Sequence, residues 1–419
     1  MYILYNLFIY IFLKIISLAS LFNTKIRIWH KGRIDWEKKL IAYSESDLNF
    51  KIWFHCASLG EYEQGKPVMQ EIKKEYPQVS IVVTFFSPSG YEARKNSELA
   101  QYVGYLPADS NKNATDFVEI LKPKMVFFVK SEIWPNFISA IKSHNIPLFL
   151  ISARFFDGQS IFKNNRSYFR NQLRKFDFIF VQDKVSQKQL KKFNIESVLA
   201  GDTRFDQVLQ LISNGIEFPI IEKFKARNLL LVVGSCWMED IDVLTKFINE
   251  HLPTIKILIA PHDVEENMIA SISNQIKVPF IRYSELLKNR ALVDEKVLIL
   301  DSIGILANAY KYADVAFIGG AFKQGLHNIL EPAINGIPVI FGPNIIGFNE
   351  ASEMLKSGGA FTVSEEAETI ELLVNLFTKK SLRTDAGEAN KKYMLSKTGA
   401  TEKIMVNAKM ILFRKLSLD

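Results

Sequence analysis

Three groups of residues in this chain have types and spacings suited to chemistry on a phosphorylated sugar. The first is Gly319-Gly-Ala-Phe-Lys-Gln-Gly-Leu-His-Asn-Ile-Leu-Glu-Pro332, which follows the apolar run 314–318 and leads into an apparent helix. A strand, a glycine-rich turn and a helix N-terminus bring free backbone N–H groups and a helix dipole to one point, which suits a phosphate. Glu331 lies one helical turn beyond Asn328 on the same face, where a carboxylate can accept hydrogen bonds from a pair of ribose hydroxyls. Gly319, Gly320, Lys323, Asn328 and Glu331 together describe a nucleotide-sugar donor site. The second group is Ser58-Leu-Gly60-Glu61-Tyr-Glu63, where the apolar run 52–56 ends and a helix begins. Glu61 there suits either a general base on a sugar hydroxyl or an acidic helix cap, with Glu63 as the competing carboxylate. The third is Lys130-Ser-Glu132-Ile-Trp134-Pro-Asn136, after the run 125–129. An acid beside an aromatic is common in carbohydrate sites, and a helix-start signal accounts for the same residues.

Four further loops follow apolar runs. Arg154, in Ser152-Ala-Arg-Phe155, is placed for bidentate binding of a carboxylate or phosphate, or for the open surface. Arg204 in Gly201-Asp-Thr-Arg204 is a second phosphate candidate, with Asp202 as its partner. Gly234-Ser235-Cys-Trp237 offers N–H and hydroxyl donors to a phosphate, and Glu239 and Asp240 fit the dipole of the helix that follows. His262, in Ala260-Pro-His262, could reach a nucleobase or phosphate, or serve only the structure. Cys56 and Cys236 have no Cys or His at zinc-site spacing, and no His-Glu-x-x-His is present. The chemistry calls for no metal and no cofactor.

Positioning these loops requires strands that end where they begin. After residue 50 the chain alternates short continuous apolar runs with amphipathic segments. Continuous rather than alternating apolar runs are those of parallel strands covered on both faces. Runs at 52–56, 79–86, 125–129, 147–151 and 176–181 form one series, and the pattern restarts with 229–234, 255–260, 278–281, 297–300, 314–318 and 337–341. The expected fold is therefore α/β, with two Rossmann-like domains facing a central cleft in a GT-B-type arrangement. The expected divisions are an N-terminal apolar segment with its basic flank at 1–33, a first domain at 34–213, a linker at 214–228, a second domain at 229–397 and a C-terminal helix at 398–419.

Residues 1–22 are nearly all apolar, interrupted by Asn6 and Lys14, and are followed by Lys25, Arg27, His30, Lys31 and Arg33. A run of about 20 apolar residues is long enough to span a bilayer. The positive flank favours a cytoplasmic location for the rest of the chain. A helix lying in the membrane interface and a cleaved leader are the alternatives. The 419 residues carry a formal net charge of +7. This favours anionic partners such as phosphorylated substrates or an anionic inner-membrane lipid surface. Lys and Arg are dispersed and form no nucleic-acid-binding module, so nucleic acid is not expected as a partner.

Taken together and in order, these segments resemble the 3-deoxy-D-manno-oct-2-ulosonic acid (Kdo) transferase family of lipopolysaccharide synthesis. Ser58-Leu-Gly-Glu61 is similar to the family's Ser-Val-Gly-Glu motif, and Glu132-Ile-Trp-Pro135 to its Glu-Leu-Trp-Pro motif. Gly234-Ser-Cys-Trp237 and the segment Gly319–Pro332 are similar to its donor-side turns. The loop usually written Pro-Arg-His reads Ala260-Pro261-His262, so the arginine is absent. The resemblance implies an inverting glycosyltransferase at the cytoplasmic face of the bacterial inner membrane, with CMP-Kdo and a lipid A precursor as substrates. It implies Glu61 and Glu132 as catalytic residues. Arg204, Gly234, Ser235, His262, Gly319, Gly320, Lys323, Asn328 and Glu331 would bind the donor. Ser58, Gly60, Trp134 and Arg154 would lie near the sugar or acceptor. The rivals are a GT-B enzyme using a UDP-sugar and a non-catalytic membrane-associated nucleotide- or glycolipid-binding protein.

Overall fold

A computed structural model describes residues 1–163, 166–213, 216–250, 254–288 and 292–416. The chain divides into two compact units: residues 1–207 with 398–419, and residues 208–397.

The first unit holds a seven-stranded sheet of β1 (Lys51–Cys56), β2 (Ser80–Phe85), β3 (Tyr102–Tyr105), β4 (Met125–Val129), β5 (Leu148–Ala153), β6 (Phe178–Val181) and β7 (Val198–Leu199). Its spatial order is β3-β2-β1-β4-β5-β6-β7, and every pairing is parallel. Parallel neighbours need helical crossovers, so helices cover both faces. This is why β1, β2, β4 and β5 are buried along their whole length. Trp53, Val82, Val126 and Leu148 belong to one core, and Ile52, Phe54, Val83 and Phe127 to the other. The order reverses between β1 and β4. Chains leave those two strands in opposite directions, which opens a crevice at their carboxyl ends.

The second unit repeats the plan with β8 (Leu229–Cys236), β9 (Ile255–Pro261), β10 (Phe280–Arg282), β11 (Val297–Ile299), β12 (Val315–Ile318), β13 (Val339–Phe341) and β14 (Ala360–Thr362). The order is β10-β11-β9-β8-β12-β13-β14, again all parallel, with the reversal between β8 and β12. The fold is the expected α/β class with two Rossmann-like units.

Two further segments fall within the units. Of the expected linker, residues 214–215 lie outside the described residues. The remainder contains the helix Pro219–Lys225, which starts on proline and buries Ile221 and Phe224 within the second unit. The C-terminal helix, Ala400–Leu416, belongs to the first unit, where Ile404, Met405, Ala408 and Leu412 join the core of Ile52 and Phe54. The carboxylate of Asp206 caps its start, accepting from the N–H groups of Gly399 and Thr401, both at 2.6 Å. Residues 417–419 lie outside the described residues.

The N-terminal apolar segment forms α1 (Tyr2–Ala19), followed by α2 (Thr24–Lys31), α3 (Trp36–Ser46) and, after β1, α4 (Leu59–Glu75). By length and composition α1 could cross a membrane. Its side chains are mostly exposed, with Ile9 alone among the described ones of this helix buried. Its first turns are nonetheless tied to the globular unit. The Tyr5 hydroxyl donates to Asp109 at 2.7 Å, the Tyr2 hydroxyl to Asn111 at 3.0 Å, and the Asn136 amide to Asn6 at 3.0 Å. Phe12 packs edge-on against Trp29 of α2, with centroids 6.2 Å apart. The helix therefore lies along the first unit and presents an apolar outer face.

Candidate active site

In the first unit the chemistry gathers at the β1/β4 reversal. After Cys56 the chain turns at Ser58, which is extended (φ −137°), and its hydroxyl accepts from the Glu61 N–H at 3.4 Å to start α4. The Glu61 carboxylate folds back and accepts from the Ala57 N–H. Capping and catalysis were alternatives in the sequence, but the geometry allows both at once. The backbone bond holds a carboxylate that is only 7% exposed. Burial, and next the negative charge of Glu132, push its pKa up to about 7. Lys130 and the bonds from Ala57 and Ser58 oppose that rise. A carboxylate so tuned accepts a proton far more readily than an exposed one. Glu63, the competing acid, is held by Arg94 at 2.6 Å and by the Gln207 amide, which leaves Glu61 as the carboxylate poised for chemistry.

Glu132 follows β4 across the reversal. It accepts from the Trp134 indole N–H at 2.8 Å and lies 3.6 Å from His55 Nε2. The same indole N–H is 3.1 Å from His55 Nε2, and His55 Nδ1 is 3.0 Å from the Thr84 hydroxyl, which also accepts from Trp53 at 2.8 Å. A tautomer with its proton on Nδ1 satisfies these contacts. The His55 side chain is fully buried, so this chain of bonds from the sheet interior fixes Trp134 and Glu132. The Trp134 ring lies against Phe86, centroids 5.1 Å apart. A Cβ on Gly60 would meet open space, so the glycine leaves room beside Glu61. Arg154, after β5, is half-buried and 3.9 Å from Asp183. Arg204 belongs to this unit and grips Asp202 through Nε at 2.9 Å and a second guanidinium nitrogen at 2.7 Å.

The second unit is built around the β8/β12 reversal. Gly234 leads into Ser235, a non-glycine residue at φ +51° that sits where the pairing with β9 shifts register. Such a conformation is strained for serine and re-aims the strand's end. Beyond it, the buried carboxylate of Asp240 accepts from the N–H of Trp237 at 2.8 Å and of Gly320 at 2.9 Å. The glycine-rich turn is thus tied to the loop after β8. The N–H groups of Gly319, Gly320, Lys323, Gly325, His327 and Leu330 are donated inside the protein, and the helix that follows spans only Leu330–Ile334. The glycines serve close packing instead. A Cβ at Gly319 would lie 2.6 Å from the Cys236 Cα, and Gly320, at φ +92°, would place one 2.3 Å from the Gly325 carbonyl. Lys323 is exposed and pairs with Glu239 at 3.0 Å.

Three rings line the same loops. His262, after β9, stacks on Trp237 and on His327, with both centroid distances 4.5 Å. The Trp237 indole N–H donates to His327 Nε2 at 3.1 Å. Burial, then the neighbouring His262, lowers the His327 pKa to about 4, so the ring is a neutral acceptor toward Trp237. The Asn328 amide donates to Glu331 at 2.9 Å, and its carbonyl caps the short helix by accepting from the Leu330 N–H at 3.1 Å. Glu331 is thus oriented by the asparagine that precedes it by three residues.

Residues 34–207 match the family model described as 3-deoxy-D-manno-octulosonic-acid transferase (kdotransferase). The 3-deoxy-D-manno-octulosonic acid transferase of Aquifex aeolicus (strain VF5) is 28% identical over 342 residues, covering 80% of this chain and 88% of its own. That of Haemophilus influenzae is 28% identical over 376 residues, covering 84% of this chain and 85% of its own. Over these spans the chain resembles Kdo transferases. Those relatives are glycosyltransferases. At the level of fold, the chain is similar to the crystal structure of UDP-GlcNAc 2-epimerase from Neisseria meningitidis bound to UDP-GlcNAc. The TM-score is 0.58 at 15% identity, over 87% of this chain and 100% of that one. It is also similar to the crystal structure of Acinetobacter baumannii MurG, with a TM-score of 0.53 at 13% identity over 85% and 98%.

The structure brings Glu61, Glu132 and Trp134 together in the first unit, and Gly234, Ser235, His262, Gly319, Gly320 and Asn328 onto strand-end loops of the second, with Glu331 in the first turn of the helix that follows. His55, Thr84, Asp240, Trp237 and His327 were not singled out as site residues. His55 lies within a strand, and nothing in its own segment reports Thr84 or Trp134 as partners. Asp240 reads locally as a dipole-favouring acid, and only the fold reveals that it latches Gly320, 80 residues away.

Proposed function

We propose that this protein is a Kdo transferase that moves Kdo from CMP-Kdo to a hydroxyl of a lipid A precursor, with inversion at the anomeric carbon. The observation that carries the reading is Glu61, a buried carboxylate with its pKa at about 7 beside Glu132 at the β1/β4 reversal. Glu61 takes the acceptor hydroxyl proton as the oxygen attacks the anomeric carbon. The bond to the phosphate oxygen breaks, and CMP leaves with the electron pair. Glu132, fixed by Trp134 and His55, holds the sugar or acceptor, with Arg154 nearby in the same unit. In the second unit Glu331, oriented by Asn328, accepts from the ribose hydroxyls. The strained Ser235 and the ring stack of Trp237, His262 and His327 line the remainder of the donor site. Phosphate charge is met by Lys323 on exchange from Glu239, an exposed pair that costs little to break.

The apolar outer face of α1, its tethering along the first unit, and the basic α2 support attachment in the plane of an anionic membrane. We place that membrane as the bacterial inner membrane and the enzyme on its cytoplasmic face.

Incubation with CMP-Kdo and a tetra-acylated lipid A precursor is expected to yield acceptor whose mass rises by one or more Kdo residues, together with free CMP. Turnover with UDP-sugars and none with CMP-Kdo would overturn the donor assignment. Glu331→Ala is expected to weaken CMP binding about tenfold, measured by calorimetric titration, as the loss of a charge-assisted pair of hydrogen bonds. Unchanged affinity would remove Glu331 from the ribose.

A further inference from the structure

A groove of about 470 Å³ opens on the first unit between α1, α2 and the loop after β2. Phe12 and Ile16 of α1, Ile26 and Trp29 of α2, Phe86 of the loop and Pro88 at the start of the helix after it form its apolar walls, and Lys25 is the charged residue among them. The volume falls within the roughly 300–1,000 Å³ of small-molecule sites. The walls are held in place. Trp29 packs edge-on against Phe86, with centroids 5.5 Å apart, and the Arg33 guanidinium lies 3.7 Å from the Trp29 ring centre. Arg33 also donates to the carbonyls of Phe86 and Leu106, each at 2.8 Å. Such bonds leave the groove little freedom to collapse.

Its two ends show what it would hold. Inward, Phe86 packs on Trp134, whose indole N–H donates to Glu132. An unbroken aromatic line, Phe12–Trp29–Phe86–Trp134, thus ends at Glu132. Outward, the groove is continuous with the exposed apolar residues of α1, among them Phe8, Ile11 and Ile15. Lys25 gives the groove positive charge, and Arg27 and Lys31 follow it on α2. A peptide laid in this groove would bury backbone N–H and C=O groups against apolar walls without partners, which is costly. An alkyl chain has no such groups.

We propose that this groove binds one acyl chain of an anionic, lipid-linked acceptor and thereby sets its sugar hydroxyl beside Glu61 and Glu132. The proposal rests on the acceptor reading given above. It makes the acyl chain a determinant of acceptor choice rather than a passive tether to the bilayer.

Ile26→Trp and Ser89→Trp each place an indole in the groove from residues outside the catalytic loops. Rates of Kdo transfer are measured for a tetra-acylated disaccharide acceptor and for the same disaccharide fully de-acylated. Each buried methylene is worth roughly a factor of four. Wild-type protein is therefore expected to favour the acylated acceptor by at least about tenfold in kcat/KM. The filled-groove variants are expected to lose that preference through KM, with transfer to the de-acylated acceptor and binding to phosphatidylglycerol vesicles unchanged. Equal loss on both acceptors, no loss on the acylated one, or a loss that tracks release from vesicles would each overturn the groove. Wild-type transfer with an unaffected preference in the variants sinks the groove alone. Absence of transfer by wild type to either acceptor sinks the acceptor reading together with it.

Discussion

Glu61→Gln is expected to lower kcat for Kdo transfer by about 10²–10⁴-fold while leaving CMP-Kdo affinity unchanged. Glutamine keeps the volume and keeps an oxygen that can accept from the Ala57 N–H, so the start of α4 survives. What it removes is the ability to take a proton. The pH dependence gives an independent check. The wild-type carboxyl is raised to about 7 by burial first and by Glu132 second. A base must be ionised to act, so kcat/KM should rise with pH through about 7 and then level. In Glu132→Gln the like charge is gone and ionisation of Glu61 becomes easier. The inflection of the residual activity should then move to lower pH. A Glu61→Gln variant with near-normal kcat, or a Glu132→Gln profile that moves to higher pH, would remove Glu61 as the base.

The sequence exposed the parts of this fold that physics makes local. β1, β4, β8 and β12 are central strands covered on both faces, so each is a continuous apolar run. The loops after them carry the acids, glycines and aromatics. The strands left unassigned from sequence are β3, β7 and β14, each at a sheet edge. An edge strand has one neighbour and less to bury, and Val198–Leu199 and Ala360–Thr362 show no apolar run. The candidate site divides the same way. Glu61, Glu132 and Glu331 are visible because a carboxylate at a strand's end stands out. Contacts between distant segments are not: the His55–Thr84 pair joins two strands, and the His262–His327 stack joins two loops. The glycine-rich turn shows the same limit. Gly319 and Gly320 read as an open anion cradle, yet the fold spends their N–H groups on Gly234 and Asp240 and needs their missing side chains for close approach.

That latch leads to the second large effect. Asp240→Ala is expected to cost about 2–4 kcal/mol of stability, measured by urea unfolding, and to weaken CMP binding in the protein that remains folded. A single carboxylate oxygen, Oδ2, accepts from both Trp237 and Gly320, and the side chain is fully buried. Alanine leaves two N–H groups without partners where water does not reach, and it opens a void beneath Gly319. Both loops that flank the β8/β12 reversal lose their common anchor, so the stack of Trp237, His262 and His327 loosens with them. Asp240→Asn separates the hydrogen bonds from the charge. Its amide oxygen can occupy the Oδ2 position and keep both bonds. Burial raises the pKa of the Asp240 carboxyl, so ionisation there is itself a cost, which asparagine removes. The asparagine variant should therefore retain most of the stability and most of the CMP affinity. Equal losses in the two variants would mean that charge, not the paired acceptor, holds these loops. An alanine variant with wild-type stability and affinity would mean that the latch does not organise the donor side at all.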